Sequence, residues 1–258
     1  MDIKEKVVVV TGGASGIGEA MVRRFAADGA AAVIALDIDG AGAIAAGEAV
    51  GGVGMQLDVS NDDATAAVMS QIEGDFGRID ILCLNAGIAT GGSVDQTNEL
   101  WQKTWDVNVM SHVYATRYVL PGMLNRGEGY IVHTASAAGL LTNIGAAPYS
   151  VTKHAVVALA EWLSVTYGDR GIRVSALCPQ FVDTPMLDAF AEDNAEMQSW
   201  VRSLALSADE VAACVAEGIA LETFLILPHA QVAEYFSHKA SDYDSWLSGM
   251  RKLRASMT

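Results

Sequence analysis

Short apolar runs alternate along the chain with longer stretches in which apolar residues recur every three or four positions. The short runs predict strands at residues 7–11, 31–37, 53–59, 81–85, 130–136, 173–179 and 224–228. Most are continuous rather than alternating, the pattern of strands covered by helices on both faces. The longer stretches predict helices at residues 17–28, 62–76, 111–126, 150–168 and 208–222. Asp62 and Ser207 are candidate N-caps, and Gly29, Gly77 and Gly171 stand where helices should stop. Regular strand–helix alternation implies an α/β fold, a Rossmann-type doubly wound parallel sheet of seven strands. Ligands of such sheets bind beyond the carboxyl ends of the strands, near the topological switch point.

The chain is 258 residues long, without an internal repeat, low-complexity tract or linker, so a single domain over residues 1–258 is expected. A formal net charge of −15 repels phosphate backbones and anionic membranes, which argues against nucleic-acid and membrane partners. Cys83, Cys178 and Cys214 are widely spaced in apolar runs and read as small buried hydrophobes. No Cys or His spacing suggests a metal site. The polar N-terminus leads into only four valines, too short for a signal peptide or span, so a cytoplasmic protein is expected.

The first strand runs through Thr11-Gly12-Gly13-Ala14-Ser15-Gly16-Ile17-Gly18 into a helix. Glycines permit a tight turn and close backbone approach, and the helix start offers unpaired N–H groups with a positive dipole end. Both suit a pyrophosphate. The spacing is Gly-x3-Gly-x-Gly, and no Gly-Lys-Ser/Thr follows, which sets aside a kinase or ATPase. Asp37 ends the second strand, where a carboxylate can accept hydrogen bonds from the adenosine ribose. Between Arg24 and Arg78 there is no Lys or Arg, whereas Asp37 and Asp39 both fall at the ribose end. A 2′-phosphate would meet carboxylates and no cation, so NAD is favoured over NADP. Asp58, with Val59 beside it, is placed either against the adenine or in capping the next helix.

Ser136 ends the fifth predicted strand, and Tyr149 and Lys153 are four positions apart on a helix or its first turn. A tyrosine hydroxyl is a weak acid–base at neutral pH, and an ammonium one turn away should lower its pKa. The pair could then move a proton to or from a substrate oxygen held by Ser136.

Five elements together resemble the short-chain dehydrogenase/reductase family: Thr11–Gly18, Asp37, Asn85-Ala86-Gly87, Asn108, and Ser136 with Tyr149-x3-Lys153. The resemblance spans roughly residues 4 to 188. It implies Tyr149 as general acid–base and Lys153 as its tuner and a ligand of the nicotinamide ribose. Ser136 would orient the substrate, and Asn108 would support a water leading to the lysine. Asn85, Ala86 and Gly87 would line the adenosine side, with Gly12, Ser15, Gly16, Ile17 and Gly18 at the pyrophosphate. Pro179, Val182 and Thr184 would stand at the nicotinamide, the last two matching positions that contact its carboxamide. The family's usual Asn-Asn-Ala-Gly begins here with Leu84, and its Pro-Gly after the sixth strand is Pro179-Gln180.

His133 and His154 flank these elements, but three-residue strand spacing turns His133 and Ser136 to opposite faces, and both histidines read as structural. Residues 183–206 carry Met186, Leu187, Phe190, Met197 and Trp200 with a single cation, Arg202, and read either as a substrate-covering lid or as helices packed on the core. Residues 229–258 form a further helical segment rich in aromatics (Tyr235, Phe236, Tyr243, Trp246), expected to bury against the core, a partner or the site mouth. The reading is an NAD-dependent oxidoreductase that interconverts a secondary alcohol and a ketone on an apolar, alicyclic or aromatic substrate, in a homodimer or homotetramer. The alternatives are a catalytically idle NAD-sensing protein on the same fold, or an NAD-using epimerase or dehydratase, which would need a larger C-terminal domain.

Overall fold

The computed structural model describes residues 1–190, 199 and 201–256. Its main sheet has seven parallel strands in the order β3-β2-β1-β4-β5-β6-β9. These are β1 (Val7–Thr11), β2 (Ala32–Asp37), β3 (Val53–Gln56), β4 (Ile81–Leu84), β5 (Gly129–Thr134), β6 (Ile172–Leu177) and β9 (Leu225–Ile226). Two further strands, β7 (Val182–Asp183) and β8 (Leu206–Ser207), form a separate parallel pair that ties together the two ends of the predicted lid. Met197 and Trp200 of that lid lie outside the described residues.

The strands are apolar because both faces are covered. Val7 and Val9 of β1 point into one core layer, with Leu82 and Leu84 of β4. Val8 and Val10 point into the other, with Ile81 and Cys83. The first layer packs under α3 (Asp62–Phe76), α5 (Ser111–Arg126) and α7 (Ala147–Tyr167). The second packs under α1 (Gly16–Ala27) and α9 (Ala208–Leu221). Each fully buried side chain of this kind contributes about 1.5–3 kcal/mol. Cys83 and Cys178 are buried and Cys214 is half-buried, all as free thiols.

Several local expectations need correction. The cap of α3 is Asn61, whose side chain accepts from Ala64 N at 2.9 Å, and Asp62 is the first helical residue. Ser207 does cap α9, in a reciprocal box with Glu210. Strands β3 and β5 stop before Asp58 and Ser136, which sit in the loops beyond. Helix α2 (Gly40–Glu48) was not predicted, since three glycines and no apolar stripe argue against a helix. Its glycines let its backbone lie directly on β3: a Cβ at Gly47 would stand 2.6 Å from Gly54 N. Helix α4 (Asn98–Trp105), capped by Thr97, was also missed; it runs through one π-helical stretch, Asp106–Met110, into α5.

The C-terminal segment is two helices, α10 (Gln231–Ser241) and α11 (Tyr243–Ser256), and it folds onto the molecule itself. Lys239 is buried. Its Nζ donates to Leu140 O at 2.5 Å and lies 5.3 and 5.0 Å from the rings of Tyr243 and Trp246. Leu140 belongs to the short helix α6 (Ala138–Leu141) that follows Ser136, so the tail braces one wall of the site. Among the described residues, no helix is long and apolar enough to cross a membrane.

Candidate active site

The strand order reverses between β1 and β4, and the loops leaving these two strands part there to open a cleft of about 700 Å³. Most of the predicted site lines it. Gly12, Ser15, Gly16, Ile17, Asp37, Asp58, Val59, Asn85, Ala86 and Gly87 line one end. Ser136, Tyr149, Lys153, Pro179, Val182 and Thr184 line the other.

The glycine turn is tight for steric reasons. Gly12 has φ +68°, and a Cβ there would stand 3.0 Å from Ala86 Cα. Gly18 does not line the cleft; it lets α1 close against the Gly12 carbonyl. The side chain of Ser15 makes no capping bond, so the first amides of α1 carry no side-chain acceptor. Asn85 locks the two loops together: its N donates to Thr11 Oγ1 at 2.9 Å and its Nδ2 to Thr11 O at 3.2 Å.

At the end of the cleft beside β2, the Asp37 carboxylate accepts from Ala14 N and Asp39 N, each at 3.1 Å. Asp39 is turned away from the cleft, because its side chain caps α2 through Gly42 N. Asp58 accepts from Ser60 N and Ser60 Oγ, a local turn that still leaves it on the cleft wall. One cation arrives that the local charge count missed. Lys103 of α4 lines the same cleft, and also an adjoining 600 Å³ cavity with Ile38, Asp58 and Asp106. It is forty-five residues beyond Asp58 in sequence, and only the fold brings it there.

At the other end, Lys153 is buried, and its Nζ donates to Thr134 O at 2.9 Å. It stands 5.6 Å from the centroid of the Tyr149 ring. Desolvation brings the Lys153 ammonium down to about 8. Desolvation also pushes the Tyr149 hydroxyl above its ordinary value, against a hydrogen bond from Ser136 that pulls it down. The net direction is opposite to the expected lowering, because burial of the phenol outweighs the Ser136 hydrogen bond. Ser136 Oγ accepts from Ala138 N at 3.1 Å, which fixes the hydroxyl at the start of α6. A proton-carrying phenol, a hydroxyl donor and an amine are thus gathered at one end of a cleft, able to hold an oxygen and exchange a proton with it.

Asn108 lies behind the cleft in the π-helical stretch, fully buried. Its Oδ1 accepts from Ile88 N at 2.8 Å, and its Nδ2 donates to Ile88 O at 3.0 Å and Thr152 Oγ1 at 3.1 Å. It therefore pins the loop after Gly87 to the helix that carries Tyr149 and Lys153. His133 is buried against His112, with the two Nδ1 atoms 2.9 Å apart, and His154 bonds to Ser150 O at 2.8 Å. Neither histidine reaches Ser136.

The model of the family described as short chain dehydrogenase matches residues 6–195. The chain belongs to the short-chain dehydrogenase/reductase family. Its relatives include meso-2,3-butanediol dehydrogenase of Serratia marcescens, 36% identical over 196 residues, 75% of this chain and 78% of the relative. A 3β-hydroxysteroid dehydrogenase of Mediterraneibacter gnavus is 37% identical over 198 residues, 73% of this chain and 70% of that one. A crystal structure of a short-chain dehydrogenase/reductase from Burkholderia phymatum in complex with NAD superposes with a TM-score of 0.85 at 29% identity, covering 95% of this chain and 96% of the other. Family membership makes the protein an oxidoreductase that acts on CH–OH groups of small molecules.

Residues missing from the sequence-based site are Lys103, Thr134, Thr152 and the tail residues His229, Gln231 and Lys239. Thr134 acts through its backbone carbonyl, which no side-chain pattern reveals. The tail residues resemble ordinary solvated helix positions in sequence.

Proposed function

We propose that the protein is an NAD-dependent dehydrogenase that interconverts a secondary alcohol and a ketone on an apolar, alicyclic or aromatic substrate. The observation that carries this reading is the single cleft joining an uncapped glycine turn to the Ser136–Tyr149–Lys153 group. The cradle fits a dinucleotide. Gly12 and Gly18 leave room where side chains would stand, and the amides at the start of α1 suit a pyrophosphate. Asp37 is positioned for a ribose diol, with Asp58 and Val59 at the adenine and Val182 and Thr184 at the carboxamide. Two carboxylates against one lysine at the ribose end favour NAD over its 2′-phosphate analogue. The NAD held by the Burkholderia phymatum relative supports the same choice.

NAD, when bound, supplies the hydride acceptor. The chain's own residues manage the oxygen. Ser136 donates to the substrate oxygen and orients it, and Tyr149, as its phenolate, takes the hydroxyl proton as the carbon is oxidised. In the reverse direction the Tyr149 phenol returns that proton to the carbonyl oxygen. Lys153 provides the charge beside the phenolate and would hydrogen-bond the nicotinamide ribose. Asn108 holds the loop and helix in register around them. We place the whole activity in one catalytic domain. A homodimer or homotetramer through α5 and α7 accounts for Val151, Trp162 and Val165, an exposed apolar stripe on α7.

The test is nicotinamide reduction at mildly alkaline pH across a panel of apolar secondary alcohols, with NAD and NADP in parallel. Turnover with NAD well above NADP is expected. Turnover favouring NADP would overturn the assignment of Asp37, and NAD binding without turnover of any alcohol would favour an NAD-sensing role.

A further inference from the structure

The residue after Pro179 is glutamine, and two hydrogen bonds fix it. Gln180 lines the cleft, in a segment bonded to the start of α6 through Ala137 N to Pro179 O at 2.8 Å. Its backbone N donates to His229 Nδ1 at 3.2 Å, and its Oε1 accepts from Gln231 Nε2 at 3.3 Å. Both partners belong to the tail, and they are held firmly: His229 is 4% exposed and Val232 is fully buried. Lys239, farther along α10, is bonded to Leu140 O, so the same helix braces both Gln180 and the short helix that follows Ser136.

With Oε1 engaged, what Gln180 has left for the cleft is the pair of Nε2 hydrogens, for which no acceptor is found among the described residues. Its neighbours along that segment, Pro179, Phe181, Val182, Met186 and Leu187, bring no side-chain hydrogen-bond donor. Thr184 has already spent its hydroxyl hydrogen on Val182 O at 3.2 Å. A wholly apolar substrate seated here would displace water from an amide and give nothing back. A substrate with a second oxygen would satisfy it.

We propose that Gln180 is a specificity-determining residue that donates from Nε2 to a second oxygen of the substrate, so that the preferred substrates are diols and hydroxyketones rather than simple alcohols. Gln231 and His229 are positioning residues that aim the amide. This inference rests on the dehydrogenase reading above and narrows its substrate class.

The experiment measures kcat/KM with NAD for cis-1,2-cyclohexanediol and for cyclohexanol on the same enzyme preparations. Because each preparation is read as a ratio of two substrates, partial misfolding of a variant cancels. The wild type should favour the diol by about tenfold, the value of one neutral hydrogen bond at the upper end of its range. Gln180→Met, similar in shape but without the amide, should lower the diol-to-alcohol ratio by about tenfold. Gln180→Glu keeps the shape and loses the donor, and should lower it as well. Gln231→Leu should lower the ratio about threefold, by a rise in KM for the diol with kcat little changed, since the amide survives but is no longer aimed. If both substrates turn over and the ratio stays within twofold of wild type in the two Gln180 variants, the role of Gln180 is refuted while the dehydrogenase reading stands. If the wild type turns over neither member of the pair although NAD binds, the dehydrogenase reading fails and this inference falls with it.

Discussion

Gly18→Ala isolates the steric logic of the glycine turn proposed to hold the pyrophosphate. A Cβ at position 18 would lie 2.7 Å from the Gly12 carbonyl carbon and 2.8 Å from Asn85 Nδ2, and closer still to the Gly12 oxygen. Comfortable contact for such atoms is about 3.5–4.0 Å, so the start of α1 must move by about 1 Å. Neither neighbour can retreat. Gly12 is already against Ala86, and Asn85 is bonded to Thr11 through both its backbone and its side chain. Overpacking of this kind costs about 1–3 kcal/mol, and the gain in helix propensity from alanine offsets at most about 1 kcal/mol of it. A net loss near 1–2 kcal/mol corresponds to a fall in Tm of about 2–8 °C for a chain of this size. The same displacement carries the helix amides away from the pyrophosphate position, so NAD affinity should drop at least about tenfold. Gly74→Ala serves as the control, because that exposed glycine near the end of α3 has nothing within 4 Å of an added Cβ. It should leave NAD binding unchanged and raise stability by up to about 1 kcal/mol. Thermal unfolding and a fluorescence titration with NAD read both effects. A Gly18→Ala protein that keeps its Tm and binds NAD within threefold of wild type would refute the packing argument.

Other consequences can be measured separately. Asp37→Ser removes one of the two carboxylates that share the ribose end with Lys103, and the ratio of kcat/KM for NAD over NADP should fall by one to two orders of magnitude, about 1.4–2.8 kcal/mol; an unchanged ratio would place cofactor choice elsewhere. The buried His112–His133 pair sets the acid limb of stability. Burial holds His133 down to about 3, and burial with the neighbouring His133 and Lys153 charges holds His112 well below its usual range. Between pH 6.5 and about 3 the unfolded chain binds a proton at His133 that the folded one does not, so stability falls as pH falls, by about 1.4 kcal/mol per pH unit. Urea midpoints from pH 7.5 to 5 should show this decline, and His133→Gln should flatten it; an equal slope in the variant would contradict the assignment.

The main sheet was readable because a parallel sheet covered on both sides needs continuous apolar strands, and runs such as Val7–Thr11 have few other uses. The residues proposed for the cofactor and for proton transfer mostly gather at one cleft, because the loops beyond the sheet's strands and the start of α7 meet there. What escaped had no local signal. Helix α2 depends on glycines that let its backbone touch β3, although in isolation those residues disfavour a helix. Lys103 joins the cleft only because α4 crosses it. The direction of the Tyr149 shift differs from the expected lowering because helical spacing places Lys153 one turn away but does not disclose how deeply the fold buries the Tyr149 hydroxyl. The tail was expected to bury against something, yet only the folded chain shows Lys239 enclosed by Tyr243 and Trp246 and bonded to the wall of the site.

The central claim is that Tyr149 moves the substrate proton in a cleft that holds NAD independently of it. Tyr149→Phe, with NAD affinity and turnover of a secondary alcohol measured on the same preparation, tests it most directly. The variant should bind NAD within about threefold of wild type and lose at least two orders of magnitude in kcat, the usual worth of a positioned acid–base. Turnover near the wild-type level with NAD still bound would contradict the account.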